Sequence, residues 1–594
     1  MILQALWELY KRDTNPLPHG YEVRPVRWVV RLTSAGRPRD KQAVAVEKRL
    51  VVPVLKRSGT SAPPTPFADM AKYVFGCNAR DPEKAAEYER MFARLAADCA
   101  AQTDNALLQI AAEAIGKGVV RRCCPPEAEP THYVDIEVDG TRVCTIPALE
   151  QLWAHMVAGH SSQRRKGQTA TCLVTGIACT PTRVFPLKLQ GIPAGRDSKT
   201  KRRKHENCDL VSFNQDSFRS YGLQKSCNAP VSLDVALGTA RAFNALRQDP
   251  SSHIVFDDQV MVFWTRRPEP LSFMHLLETP QPGQVRALIE SVRRGPPPRG
   301  VEANGFYLLG VSAQRSRAVV RDFIHLQLGA AQTHACNWFE KARLEDCAGS
   351  HMYFGLSRLA SSLYRHDDEA AFRRDGPFCP SQLPALLARC ALTASPLPPA
   401  LLGLAVQRNI AERGPYVTIH RNKVEERYLS YARLALIRAV IRDLIGEDIM
   451  TTQTDPLDRQ AFNCGRLLAV LDNLYLHFVN ADKARGEKWM RPKTTVSSRY
   501  YGAAASSPAS VFGNLLHGSR HHLAKLRGND KDLNHELKLE EIVQAIGTAF
   551  PLTLDLRRQG TFALGYYHQM AADRAARAKS GIPIDEGTDE GAES

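Results

Sequence analysis

The sequence predicts a multidomain protein: an α+β N-terminal region with mixed or antiparallel sheets, then an all-α helical bundle at the C-terminus. Three observations carry this. β-Branched and aromatic runs bounded by turn residues fall in about the first 400 positions. From residue 401 strand signals nearly vanish and apolar residues recur at helical spacing. The chain has 594 residues, and single cores stop growing at roughly 250–300.

The elements follow in order. Ile2, Leu3, Leu6, Leu9 and Tyr10 mark an opening helix. VRWVVRL and LVVPVL, within 21–55, read as strands. RSGTSAPPTP at 57–66 is a loop, and 82–117 holds two helical stretches. Val134, Ile136 and Val138 alternate around Asp139-Gly140, which predicts a hairpin over 131–146. CLVTG at 172–176 reads as a strand, 194–208 as a solvated loop, and 254–265 and 306–312 as strands. RRGPPPRG at 293–300 is a linker or long loop. Stripes such as Leu467, Leu468, Leu471, Leu474 and Phe478 predict core packing in a bundle over 415–580. The expected domains are 1–400, with a subdivision near 130–170 left open, then 401–580. The tail 581–594, acidic and Gly-rich, is expected to be disordered.

Composition narrows the class. Net charge is +16, which predicts attraction to polyanions. There are 14 cysteines but no CxxC pair, and the adjacent Cys123-Cys124 cannot make a zinc knuckle. MILQALWELYKRD does not read as a signal peptide, and no apolar run approaches the roughly 18 residues of a membrane span. A cytoplasmic protein without a membrane partner is expected.

No string for a phosphate loop, nucleophile elbow, zinc protease or kinase catalytic loop occurs. No catalytic residue, cofactor or metal is therefore assigned. The one metal alternative is His517, His521 and His522, but no carboxylate or cysteine lies beside them in sequence. Arg520, Lys525 and Arg527 flank them and would repel a cation, so a basic face for a single strand is the preferred reading of Arg520, His521, Lys525 and Arg527. Two dense basic runs, Arg164-Arg165-Lys166 and 196–204 (Lys199, Lys201, Arg202, Arg203, Lys204), suit phosphate contacts. In RSGTSAPPTPFADMAKY, Ser58, Gly59, Thr60 and Ser61 form a small hydroxyl-rich loop bracketed by Arg57 and Lys72. Such a loop lets backbone approach a duplex, although a plain surface turn explains the spacing equally well.

Several segments together resemble one family in order: MILQALWELYKR, AKYVFG, CLVTG, LVSFNQDSFRSYG, NAPVS, MVFW, FYLLGVS, GRLLAVLDNL, YYGAAASSPASVF, HHLAKL and FALGYYHQ. The family is the Csd (Dvulg-subtype) CRISPR-associated large subunit of type I-C Cascade. The resemblance implies a non-catalytic subunit that recognises a PAM on double-stranded DNA, helps unwind it and supports R-loop formation by the crRNA. It implies Cas-five-type and Cas-seven-type partner subunits and a helicase-nuclease recruited later. Carried over residue by residue, PAM and duplex contacts fall on Arg57, Ser58, Gly59, Thr60, Ser61, Lys72 and Asn214. The Pro-rich APPTPF departs from the Asn-containing stretch usual in the family.

The resemblance also implies small subunits made from the chain's own C-terminal region. Gly446-Glu447 codons can spell a ribosome-binding site upstream of Met450, the expected internal start, with Met490 as runner-up. Residues 450–580 carry 18 Lys+Arg against 12 Asp+Glu, which suits binding of a single strand. A metal-dependent nuclease using the His cluster and a CRISPR-unrelated RNA-binding factor stand as alternatives.

Overall fold

The computed structural model describes residues 2–13, 17–55, 63–77, 82–162, 169–182, 184–197, 202–213, 215–218, 221–223, 225–256, 258–293, 304–345, 350–364, 382–412, 423–483, 490, 492, 494–528 and 534–579. It has the expected α+β region and helical C-terminal region. Two compact units share the chain: Met1–Gln190 with Asn207–Ala245 and Ser316–Ala318, and Gly191–Glu206 with Leu246–Arg315 and Val319–Ser594.

The first unit is built on a mixed sheet of β1 (Tyr21–Leu32), β2 (Val44–Pro53), β3 (Ala68–Met70), β4 (Tyr133–Val138) and β5 (Thr141–Arg142). The order is β2-β1-β4-β3, with β5 on β4. β1 pairs antiparallel with β2 and parallel with β4. A parallel step needs a long crossover, and the helices Pro82–Ala101 and Ala106–Gly116 lie within it. Their Phe92, Cys99, Leu108 and Ala111 share a core with Val30, Val134 and Ile136. Each large apolar side chain so buried stabilises by roughly 1.5–3 kcal/mol. Asn105 caps the second helix, its Oδ1 accepting the N–H groups of Leu107 at 3.0 Å and Leu108 at 3.2 Å.

Helix Ile2–Tyr10 crosses helix Leu233–Gln248 at Gly238. A Cβ there would lie 2.5 Å from the Tyr10 ring and 2.6 Å from that of Trp7. CLVTG is a turn rather than the expected strand. Only β6 (Ala170–Thr171) and β7 (Ala178–Cys179) pair, and Gly176, at φ +70°, reverses the chain between them. The Cys172 N–H donates to Ile177 O at 2.9 Å and closes the hairpin.

The second unit carries a two-stranded ribbon, β8 (Leu189–Arg196) and β9 (Arg203–Cys208), of which Gly191–Glu206 belong to it. It also carries a four-stranded sheet of β10 (His253–Val255), β11 (Val260–Thr265), β12 (Gly305–Gln314) and β13 (Arg317–Gln327), in sequence order. The single strand expected over 254–265 is thus a hairpin, closed where the Phe256 N–H donates to Gln259 O at 2.8 Å. Met261, Phe263, Phe306 and Leu308 join Trp338, Phe339, Leu387, Ile437 and Leu564 in one continuous core.

The C-terminal bundle consists of helices Lys423–Ile445, Pro456–Val479, Val496–Ser506, Pro508–Gly528, His535–Ile546 and Leu556–Lys579. Asp455 caps the second, accepting the Leu457 N–H at 2.9 Å. Thr495 and Ser498 form a reciprocal capping box on the third. Helices Pro456–Val479 and Leu556–Lys579 touch backbone to backbone. A Cβ on Gly465 would lie 2.0 Å from Phe562 O, and one on Gly565 would lie 2.0 Å from Phe462 O. Among the described residues no helix is long and apolar enough to cross a membrane.

Candidate nucleic-acid interface

The segment 194–208, expected as a solvated loop, holds the end of β8 and all of β9, which pair as a ribbon. Its turn is held where the Asp197 N–H donates to Arg202 O at 2.8 Å. Alternation cannot reveal a strand whose residues are nearly all polar: β9 reads RKHENC, with Arg203, Lys204 and His205 exposed. Arg202, also exposed, sits at the turn. Lys204 Nζ lies 3.0 Å from Asp197 Oδ2. That pair is surface-exposed and worth at most about 1 kcal/mol, so a phosphate can displace it. Partial desolvation, then the charges of Arg247 and Arg203, hold the His205 imidazole below its ordinary value. A two-stranded ribbon is one of the shapes the DNA major groove admits. Lys199, Lys201, Arg164, Arg165 and Lys166 lie outside the described residues.

Arg57, Ser58, Gly59, Thr60, Ser61 and Asn214 also lie outside them. The C-terminal anchor of the 57–62 segment is described. Fully buried Asp69 accepts the Thr65 N–H at 2.7 Å and the Met70 N–H at 2.6 Å. The Thr65 hydroxyl donates to Ala68 O at 2.7 Å. Buried Phe67 takes φ +57°, a conformation L residues rarely adopt, so this turn is tightly determined. Sequence reasoning passed over Asp69. The usable signal was a carboxylate in an otherwise apolar strand, which demands donors of its own. Lys72 follows on helix Ala71–Val74, its ammonium 5.2 Å from the centre of the Tyr73 ring and 5.5 Å from that of Tyr88. Two ring faces thus orient this cation.

On the C-terminal bundle the four basic candidates divide. Arg520 and His521 are exposed. Lys525 pairs with Asp482 at 2.6 Å, and Arg527 pairs with Glu536. Half-buried His522 is held below its ordinary value by burial and by His521. Against His522 stand Tyr475 and Phe478, of which Phe478 belongs to the apolar stripe expected to pack in the core. Among the described residues no group of three His, Cys, Asp or Glu side chains is placed to hold a metal ion.

Met450 lies in the connection between helices Lys423–Ile445 and Pro456–Val479, its N–H donating to Asp448 Oδ1 at 3.3 Å. Met490 is 52% exposed, and its N–H donates to Asn480 Oδ1 at 2.6 Å.

The chain combines an α+β region, a cationic ribbon and a helical bundle with a net charge of +16. The family model of the CRISPR-associated protein (Cas_Csd1) matches residues 5–573, and the chain belongs to that family, the Cascade large-subunit family its ordered segments resemble. Membership places it in a complex with other Cas proteins and a guide RNA. No curated protein matches the chain.

Proposed function

We propose that this chain is the non-catalytic large subunit of a cytoplasmic type I-C Cascade, recognising a PAM on double-stranded DNA, helping to open it and supporting the R-loop formed by the crRNA. Cas-five-type and Cas-seven-type subunits are its neighbours in the complex, and a helicase-nuclease is recruited afterwards. The observation that carries the reading, beside the family, is the cationic ribbon: exposed Arg202, Arg203 and Lys204 on a shape that fits a groove. The segment bounded by Arg57 and Lys72 reads the PAM, and base pairing reads the rest. The bundle holds the displaced strand, and translation from Met450 supplies it separately as a small subunit.

The test is binding of the assembled complex to duplexes with and without a PAM across a salt series. Arg202→Ala weakens both and lowers the salt slope by about 0.9 for the lost phosphate contact. Lys72→Ala falls hardest on the PAM-bearing duplex. Indifference of wild-type binding to the PAM would sink the readout assignment. Divalent-metal-dependent cleavage by the purified chain alone would sink the non-catalytic one. For the internal start, a silenced Met450 codon should remove the short C-terminal product from a tag blot.

A further inference from the structure

Phe478 and Tyr475 sit three residues apart on helix Pro456–Val479, so both rings face the same side. Both are half-buried. Leu471 and Leu474 of the same helix enter the bundle core, but neither ring belongs to it. Helix Pro508–Gly528 brings His522 to 4.3 Å from the Phe478 ring centre and 5.6 Å from that of Tyr475. His521, exposed, lies 5.5 Å from Phe478. None of these imidazoles stacks flat: the interplanar angles are 38°, 53° and 64°. Tyr475 and Phe478 lie 6.4 Å apart with their planes at 28°, nearly parallel, so a planar base can extend that stack. The surroundings are cationic. Lys525 Nζ stands 5.2 Å from the centre of the Phe478 ring, and Arg520 and His517 are exposed on the same helix. At the rim, Asp482 pairs with Lys525 at 2.6 Å.

We propose that Tyr475, Phe478, His521 and His522 form a stacking platform for unpaired nucleobases of a single strand, with Arg520 and Lys525 as its phosphate contacts. Half-exposed rings among cations, outside the core, are how sequence-tolerant single-strand binders are built. The inference rests on the reading that the bundle holds an unpaired strand and names the atoms that would do so. Single-stranded DNA and RNA share the chemistry, and the experiment separates them.

The test uses the full chain and three labelled 20-mers: oligo-dT, oligo-rU and an abasic deoxyribose-phosphate strand. Phe478→Leu and Tyr475→Leu keep apolar volume and remove the ring. Each should weaken oligo-dT or oligo-rU binding by roughly fivefold or more, leaving the abasic strand unaffected. Arg520→Ala should weaken all three. A base-dependent loss confined to oligo-dT assigns a DNA strand, and one confined to oligo-rU assigns RNA. Ultraviolet crosslinks on the wild-type chain should map to Tyr475 or Phe478, a readout that does not depend on how well the variants fold. Equal loss on the abasic strand, or no loss with either leucine variant while Arg520→Ala still weakens binding, overturns the platform but leaves strand holding intact. No binding of any oligomer by the wild-type chain overturns both. Release of partner subunits by Phe478→Leu, without effect on oligomers, would make the face a protein interface and overturn the proposal.

Discussion

Two glycines of the bundle can be read as opposite cases. At Gly465 an added methyl would meet Phe562 O at 2.0 Å, a backbone atom that cannot yield cheaply. Gly465→Ala should cost about 1–3 kcal/mol or more by overpacking, lowering the thermal midpoint by several degrees. Gly518, in helix Pro508–Gly528, has nothing within 4 Å of the same position. There the helix propensity of alanine wins, and Gly518→Ala should raise the midpoint by the equivalent of roughly 0.5–1 kcal/mol. Differential scanning calorimetry on both variants checks the pair, and equal shifts would refute the crossing geometry. Glu278 makes a second residue-scale case. Burial raises its carboxyl from the usual range to about 7, against the opposing hydrogen bonds of Ser357 and the charge of Arg203. A raised acid keeps its proton in the folded chain while the unfolded chain releases it. Stability should therefore fall as pH climbs from about 4.5 to about 7 and level off above. Glu278→Gln should flatten that decline when midpoints are compared at pH 5, 6 and 8.

At the scale of elements, what the sequence showed depended on whether a residue's partner lies nearby in the chain. The helices over 82–101 and 106–116 and the hairpin at Asp139-Gly140 were legible, because period and turn chemistry are local. The ribbon was not: its charges were visible, but a polar strand has no alternation to read. CLVTG misled for the opposite reason, since an apolar run there serves a two-residue hairpin and its turn. Of the candidate site, the cations were found and their neighbours were not. Phe478 matched a core stripe and Tyr475 was passed over, and only the position of helix Pro508–Gly528 shows both half-exposed. Asp69 likewise acts through N–H groups of Thr65 and Met70 that composition cannot show. Asp69→Ala leaves those donors buried without an acceptor, a cost of roughly 1–3 kcal/mol. If the turn positions the reading segment, this variant should lose discrimination between PAM and PAM-less duplexes while keeping the wild-type salt slope. A changed slope would place Asp69 outside that role.

For the whole molecule, the helices after Met450 share a core built from Leu467, Leu471, Phe512, Leu526 and Ile542, against which Ile410 also packs. Their remaining apolar face is committed elsewhere. Phe462, Leu564 and Tyr567 enter the larger core, and the Tyr567 ring meets Tyr431 at 5.4 Å. Gly560 lets Leu402, Ile437 and Ile441 approach to within 3.0–3.2 Å of its Cβ position. A product starting at Met450 should therefore be helical yet present Phe462, Leu564 and Tyr567 to water. It should bind a hydrophobic dye and self-associate in sedimentation runs, and Leu564→Glu should reverse both. A monomeric fragment that binds no dye would show that the helices rearrange.

The β8 side of the ribbon is engaged by side chains, with the Gln190 N–H donating to Asn244 Oδ1 at 2.9 Å and Arg247 Nε donating to Gly191 O at 3.4 Å. The β9 side carries exposed Arg203 and Lys204, and charge on a strand discourages another copy from pairing with it. Arg202, Arg203 and Lys204 keep copies apart by repulsion, and a bound polyanion would cancel that repulsion. The cations proposed to contact a duplex would thus also guard the unbound chain against aggregation. Alanine at these positions trades solubility as well as affinity.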